Sequence, residues 1–204
     1  AAGSALAEKL AIWKNHPDAI ILGLPRGGVV VGREIARALN LPLDIIVTRK
    51  IGAPYNPEFA IGAIDEAGNG YLRRELFSAV GATNEYIQKT IEREKTEAKR
   101  RLSAYRAGRP TLDLTGKTAI LVDDGVATGA TMIAAIASAR KKGAQKVIVA
   151  VPVAPPDTAA TMRREADEAI ILDTPEYFQA VGQFYRNFEQ TTDEEVVQLL
   201  SQSY

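Results

Sequence analysis

Apolar positions along this chain recur in two alternating rhythms, short continuous runs and stripes spaced three or four residues apart, and that alternation predicts strands and helices in turn. Ala19 to Leu24 reads as a strand, and Gly27 to Leu39 as the helix after it, with Val31, Ile35 and Leu39 on one face. Leu43 to Thr48 reads as a second strand. Ile51 to Pro57 then carries Gly52, Pro54, Asn56 and Pro57, a combination suited to neither helix nor strand, and predicts a mobile loop. Phe59 to Ile64 is expected to return to the sheet, with a turn at Gly68 to Gly70. Asn84 to Ala107 forms the longest helix: Ile87, Ile91, Ala98, Leu102 and Tyr105 stripe one side, and Glu85 with Lys89 and Glu97 with Arg101 sit at i,i+4 on the solvated side. Gly108 and Pro110 end it. The second half predicts a strand at Ala119 to Val122, a helix at Ala130 to Lys142 and a strand at Lys146 to Val153. A short helix opened by Asp157 and a strand at Glu168 to Leu172 follow. Thr192 and Glu195 make a capping box for a last helix through Leu200.

This order predicts an α/β fold, a mainly parallel sheet flanked by helices, as one domain over residues 1–204. No repeat, low-complexity tract or linker divides it.

The candidate chemistry collects where strands end and helices begin. In Ala119 to Thr131, A-I-L-V-D-D-G-V-A-T-G-A-T, a buried strand runs into Asp123 and Asp124, at the edge where open α/β sheets bind ligands. Val126, Ala127, Thr128, Gly129, Ala130 and Thr131 then form a small-residue turn into a helix. Backbone N–H groups, the positive helix end and the Thr128 and Thr131 hydroxyls suit a phosphate there. The two acids suit sugar hydroxyls and a divalent cation. The bland reading makes the acids helix caps, but capping needs one acid, not two in series.

Leu24-Pro25-Arg26-Gly27-Gly28 is a second such junction. Its glycines bare N–H groups to an anion and Arg26 can add a guanidinium, although an ordinary turn with a surface Arg looks the same in isolation. Thr48-Arg49-Lys50 is a third, placing two cations at the expected strand end facing the same ligand edge. A solvated pair is the alternative there.

The Ala119 to Thr131 segment resembles, at every position, the phosphoribosyl-diphosphate (PRPP) motif of type I phosphoribosyltransferases. The resemblance implies that fold, a PRPP substrate with Mg2+, a nitrogenous acceptor such as a nucleobase, and release of pyrophosphate. It further implies that Ala127 to Thr131 hold the 5-phosphate, and that Asp123 and Asp124 hold ribose hydroxyls and, through water, the metal. Gly27 and Gly28 with Arg26 would take pyrophosphate. Arg49 and Lys50, at the head of a closing loop resembling that of adenine phosphoribosyltransferases, would contact the same group. Arg26, Lys50, Asp123 and Asp124 are therefore the expected catalytic residues. Hypoxanthine and guanine enzymes carry an Asp where this chain has Ala127, which argues against a 6-oxopurine acceptor.

A variable hood recognises the acceptor in this family. Residues 173–204 are the candidate here, with Tyr177 and Phe178 able to stack on a planar base and Phe184 to Phe188 close behind. The same aromatics could instead fasten the carboxyl-terminal segment to the sheet. Residues 65–114, with the long helix, match no family element and stand as an insertion that serves as hood, brace or homodimer surface. Two rivals remain: a PRPP- or nucleotide-binding regulator without turnover, and a PRPP-making pyrophosphokinase, which would need an ATP site.

Composition narrows the partners. Lys plus Arg number 25 and Asp plus Glu 25, so no global field favours nucleic acid or an anionic membrane. The absence of cysteine removes disulfides and a thiol nucleophile. No apolar run approaches membrane-spanning length and the opening residues show no leader pattern, so a cytoplasmic setting is the expectation. The lone histidine, His16, is far in sequence from every motif and reads as surface.

Overall fold

The computed structural model describes residues 1–202. Five parallel strands form the main sheet: β1 (Ala19–Gly23), β2 (Leu43–Ile45), β6 (Thr118–Val122), β7 (Lys146–Val153) and β8 (Glu168–Asp173), in the order β2-β1-β6-β7-β8. The remaining strands, β3 (Thr48–Ala53), β4 (Asn56–Asp65) and β5 (Gly70–Leu72), make a separate antiparallel sheet. The helices are α1 (Ala2–Lys9), α2 (Gly27–Leu39), α3 (Asn84–Tyr105), α4 (Ala130–Lys141), α5 (Pro156–Glu165) and α6 (Asp193–Ser201).

The continuous apolar runs are strands buried on both faces, as parallel sheets require. Successive residues alternate between two cores: Ile21, Ile120 and Ile148 face the core with α1, α2, α6 and the end of α3, while Leu22, Leu121 and Val149 face the core with α4 and α5. The small sheet lies between two helices. Ala60 and Ala63 meet Ala130 and Ala134 of α4, and Ile51 and Ile64 meet Ile87 of α3. Buried Asp65 ties this sheet to α4 by accepting from Ser138 Oγ at 2.7 Å.

Three expectations need correction. The second strand ends at Ile45 because its neighbour β1 ends at Gly23; the chain then leaves the main sheet, and Thr48 pairs with Asp65. The expected loop at 51–57 is instead the end of a β-hairpin. Pro54 and Tyr55 fill the turn, and the ladder shifts register around Gly52, where a Cβ would meet the Pro57 backbone. Thus Gly and Pro mark a bulge and a turn rather than the absence of strand. Phe59 to Ile64 belongs to β4 of the small sheet, not the main one. Elsewhere Asp157 lies inside α5, which begins at Pro156 with proline in its first turn. The short α1, unanticipated in a small-residue stretch, buries Leu6 and Ala7. The long helix acts as a brace, its Ala98 and Tyr105 in the main core and its Ile87 under the small sheet.

Candidate active site

Parallel pairing of β1 with β6 runs to Gly23 opposite Val122, so the next residues of both strands leave the sheet side by side. The Leu24 N–H donates to Val122 O at 2.8 Å and holds the two exits together. The Pro25–Arg26 peptide is cis. A Cβ on Gly27 would overlap the Asp124 carboxylate, and one on Gly28 would come within 2.5 Å of Val122 O and 2.9 Å of Asp123 Cα. Glycine is therefore required at Gly28 by close approach of main chain to main chain, while at Gly27 a side chain would have to displace the Asp124 carboxylate.

The acids are held from below. Asp123 Oδ1 accepts the Asp124 N–H at 2.9 Å. Burial, with the neighbouring Asp124 charge added, pushes the Asp123 carboxyl well above the usual range, and burial also raises Asp124. The Tyr185 hydroxyl donates to Asp124 O at 2.6 Å, and burial together with the charges of Asp124 and Asp123 pushes that phenol up.

The following turn is equally fixed. Gly129, at φ +86°, opens α4 in a left-handed conformation natural to glycine. Val126 is buried and its N–H donates to Val153 O, while Thr158 Oγ1 donates to Ala127 O at 2.7 Å. Ala127 and Thr128 are exposed at the rim and Ala130 is buried. Thr131 lies in the first turn of α4, and its carbonyl accepts from Thr48 Oγ1 at 3.2 Å, which joins the head of β3 to this turn.

The two cations of β3 diverge. Strand alternation sends Lys50 to the same side as Thr48, where Nζ meets Glu58 Oε2 at 2.8 Å, and sends Arg49 to the other side, where Nε meets the buried Glu94 at 2.9 Å. The expectation that both face one ligand edge is thus not met. The Arg26 guanidinium faces Asp193 at 3.7 Å.

The carboxyl-terminal aromatics divide. Tyr177 is 89% exposed, and Phe178 packs its ring on Phe184 with centroids 5.2 Å apart. The ring that reaches the acids is Tyr185, beside Phe188 at 5.3 Å, while Val181 covers Gly125. A cavity of about 120 Å3 remains among Gly27, Asp124, Tyr185 and Phe188. A larger one of about 710 Å3, lined by Val30, Glu34, Val153, Asp173 and Phe184, shares the Tyr185 wall. Sequence showed the aromatic run around Tyr185; that it folds back onto Asp124 had no sequence signal. A third cavity, about 320 Å3, lies beyond β2 among Arg106, Arg109 and Lys142, where Asp44 and Glu66 already pair with the cations.

Among the described residues no three His, Cys, Asp or Glu side chains gather to enclose a metal. Two adjacent acids, both driven towards protonation, nevertheless form a corner that a hydrated divalent cation would relieve, with substrate oxygens completing its shell. Among the described residues no helix is long and apolar enough to cross a membrane.

The phosphoribosyl transferase domain family matches residues 2–188. Two Mycobacterium tuberculosis proteins, from strains CDC 1551 and H37Rv and provisionally named phosphoribosyl transferases, are each 44% identical over 203 residues, covering 100% of this chain and 46% of their own. The chain therefore spans about half the length of these curated relatives. A Sulfurisphaera tokodaii ribose-phosphate pyrophosphokinase is 33% identical over 118 residues, 57% of this chain and 36% of that protein. A crystal structure from Thermus thermophilus shares the fold with a TM-score of 0.83 at 41% identity, covering 99% of this chain and 95% of its own. With the family matched across nearly all of its length and the parallel sheet ending in these loops, the chain belongs to the phosphoribosyl transferase domain family.

Proposed function

We propose that this domain transfers the 5-phosphoribosyl group of PRPP to a nitrogen acceptor, a nucleobase being the preferred class, and releases pyrophosphate. The observation that carries the reading is the contact of the Gly27–Gly28 main chain with Asp123 and Asp124, beside the α4 amino terminus. The Leu24–Gly28 turn adjoins the acid pair, and the acid pair leads into the α4 amino terminus, which supports reading the three as the places of pyrophosphate, ribose and 5-phosphate.

Breaking the bond from the anomeric carbon to pyrophosphate builds positive charge on the ribose ring and negative charge on the leaving group. The chain's own residues answer both. Asp123 and Asp124 accept from the ribose hydroxyls and set negative charge near the ring, while the Arg26 guanidinium, the Gly27 N–H and Lys50 meet the departing anion. The Gly28 N–H, expected to be bare, is instead taken by Leu24 O at 3.1 Å, as the first helical turn of α2 closes. The Ala127 to Thr131 turn anchors the 5-phosphate and fixes the ring in position. Asp123 and Asp124 would hold Mg2+, which would supply further charge neutralisation to the leaving group. The acceptor enters beneath residues 174–188, against the Tyr185 ring, and Ala127 offers it no carboxylate for proton exchange, which disfavours 6-oxopurines.

The test is to incubate the protein with PRPP, Mg2+ and a panel of purines, pyrimidines and simple amines and to measure pyrophosphate. Release with at least one acceptor is expected. Tight PRPP binding with no release from any of them replaces this reading with that of a PRPP-binding regulator.

A further inference from the structure

We infer that Asp193 is a positioning residue for pyrophosphate release: the fixed counter-anion to which the Arg26 guanidinium returns when the product leaves. The inference rests on the proposed assignment of Leu24 to Gly28 to pyrophosphate. Asp193 stands in the first turn of α6, directly after the capping-box residue Thr192. It lies past residue 188, where the family match ends.

Its two partners hold it unequally. The hydroxyl of Tyr105, a core residue that is 3% exposed, donates to Asp193 Oδ1 at 2.6 Å and locks the carboxylate in place. The same oxygen lies 3.7 Å from Arg26 Nη1, close enough for attraction and too long for a hydrogen bond. Among the described residues Arg26 has no other ion-pair partner. The anion is fixed and the cation is loose.

That inequality sets the direction of the exchange. A multiply charged pyrophosphate outcompetes one half-exposed carboxylate for a guanidinium and draws Arg26 away. When pyrophosphate leaves, Asp193 takes the guanidinium back, so the pair opposes product binding and favours release. Three helix ends meet here: the start of α2 at Arg26, the end of α3 at Tyr105 and the start of α6 at Asp193.

The experiment is calorimetric titration of pyrophosphate with Mg2+ into wild type, Asp193→Asn, Asp193→Glu, Arg26→Ala and the Asp193→Asn/Arg26→Ala double variant. Asparagine keeps an oxygen for the Tyr105 hydroxyl, so an unchanged melting temperature checks the fold. Asp193→Asn is expected to tighten pyrophosphate about twofold to tenfold, the scale of one half-exposed ion pair facing a multivalent anion. Asp193→Glu should retain the weaker wild-type affinity, and Asp193→Asn should have no effect once Arg26 is alanine. An unchanged affinity in Asp193→Asn, or the same tightening without Arg26, overturns the inference while leaving the loop assignment standing. Failure of wild type to bind pyrophosphate at all removes the loop assignment and this inference with it.

Discussion

The main chain at Gly27 rests directly on the carboxylate of Asp124, leaving no room for even a methyl group between them. Two loops from different strands are thereby locked into one rigid corner, and any anion gripped by the first is positioned against the acids of the second. Protein interiors at this density answer an added atom with strain, not with slight compliance.

Gly27 and Gly28 should consequently fail differently when replaced. A methyl at Gly27 meets a side chain, which can rotate aside, whereas one at Gly28 meets the Val122 carbonyl and Asp123 Cα, which cannot. Gly28→Ala is expected to lose ~1–3 kcal/mol of stability by overpacking, and Gly27→Ala less. Both should weaken PRPP binding at least tenfold. Chemical denaturation and calorimetry test this, and a Gly28→Ala protein as stable as wild type would refute it.

The acid pair makes stability depend on pH in a stated direction. Because the native Asp123 carboxyl is raised above its unfolded value, the native state holds more protons than the unfolded state between those two values. The contribution of this carboxyl to stability is therefore fully present below the ordinary carboxylate range and is lost as pH rises through the native value. Replacing both acids with Asn preserves the acceptor for the Asp124 N–H and removes the buried repulsion, so the double variant should melt above wild type at pH 7 while binding PRPP at least tenfold more weakly. A lower melting temperature at pH 7 would mean that the acids serve the fold.

The edge of the main sheet depends on Asp44, whose two carboxylate oxygens each accept from Arg106 at 2.8 Å with both side chains nearly excluded from solvent. Asp44→Ala removes both charge-assisted hydrogen bonds from a nearly buried guanidinium, for an expected loss of ~2–4 kcal/mol. Urea unfolding measures it, and a loss below ~1 kcal/mol would show that the sheet edge does not depend on this pair.

Local signals in this chain were legible wherever one element was enough to generate them. The α2 limits follow from a glycine-rich start and a three-to-four spacing, and the capping box of α6 from Thr192 and Glu195 alone. The PRPP-type motif was legible for the same reason, since strand, acids and turn are contiguous. What stayed hidden depends on partners distant in sequence. Thr48 to Ala53 could not reveal from its own pattern that it pairs with β4 and not β1, because strand preference does not encode the neighbour. Nor could Tyr185 announce Asp124, or Asp193 announce Arg26 and Tyr105, since each pair is joined only by tertiary folding.

Lys50 distinguishes a transferase from a binding protein. It shares a strand face with Thr48, which touches the Ala127–Thr131 turn, and its present partner is the exposed Glu58, whose carboxyl it lowers by direct hydrogen bonding. A half-exposed lysine tied to an exposed glutamate contributes little to the fold, so Lys50→Ala should leave the melting temperature nearly unchanged. If pyrophosphate departs, the charge facing Lys50 is greater in the transition state than in bound PRPP, and the variant should lose turnover far more than affinity. The expected loss is roughly tenfold to a thousandfold in kcat, the scale of one preorganised electrostatic group, with PRPP affinity changed severalfold at most. Steady-state kinetics beside calorimetry separate the two quantities. Equal losses in affinity and turnover would place Lys50 on ground-state PRPP alone and remove it from the catalytic set.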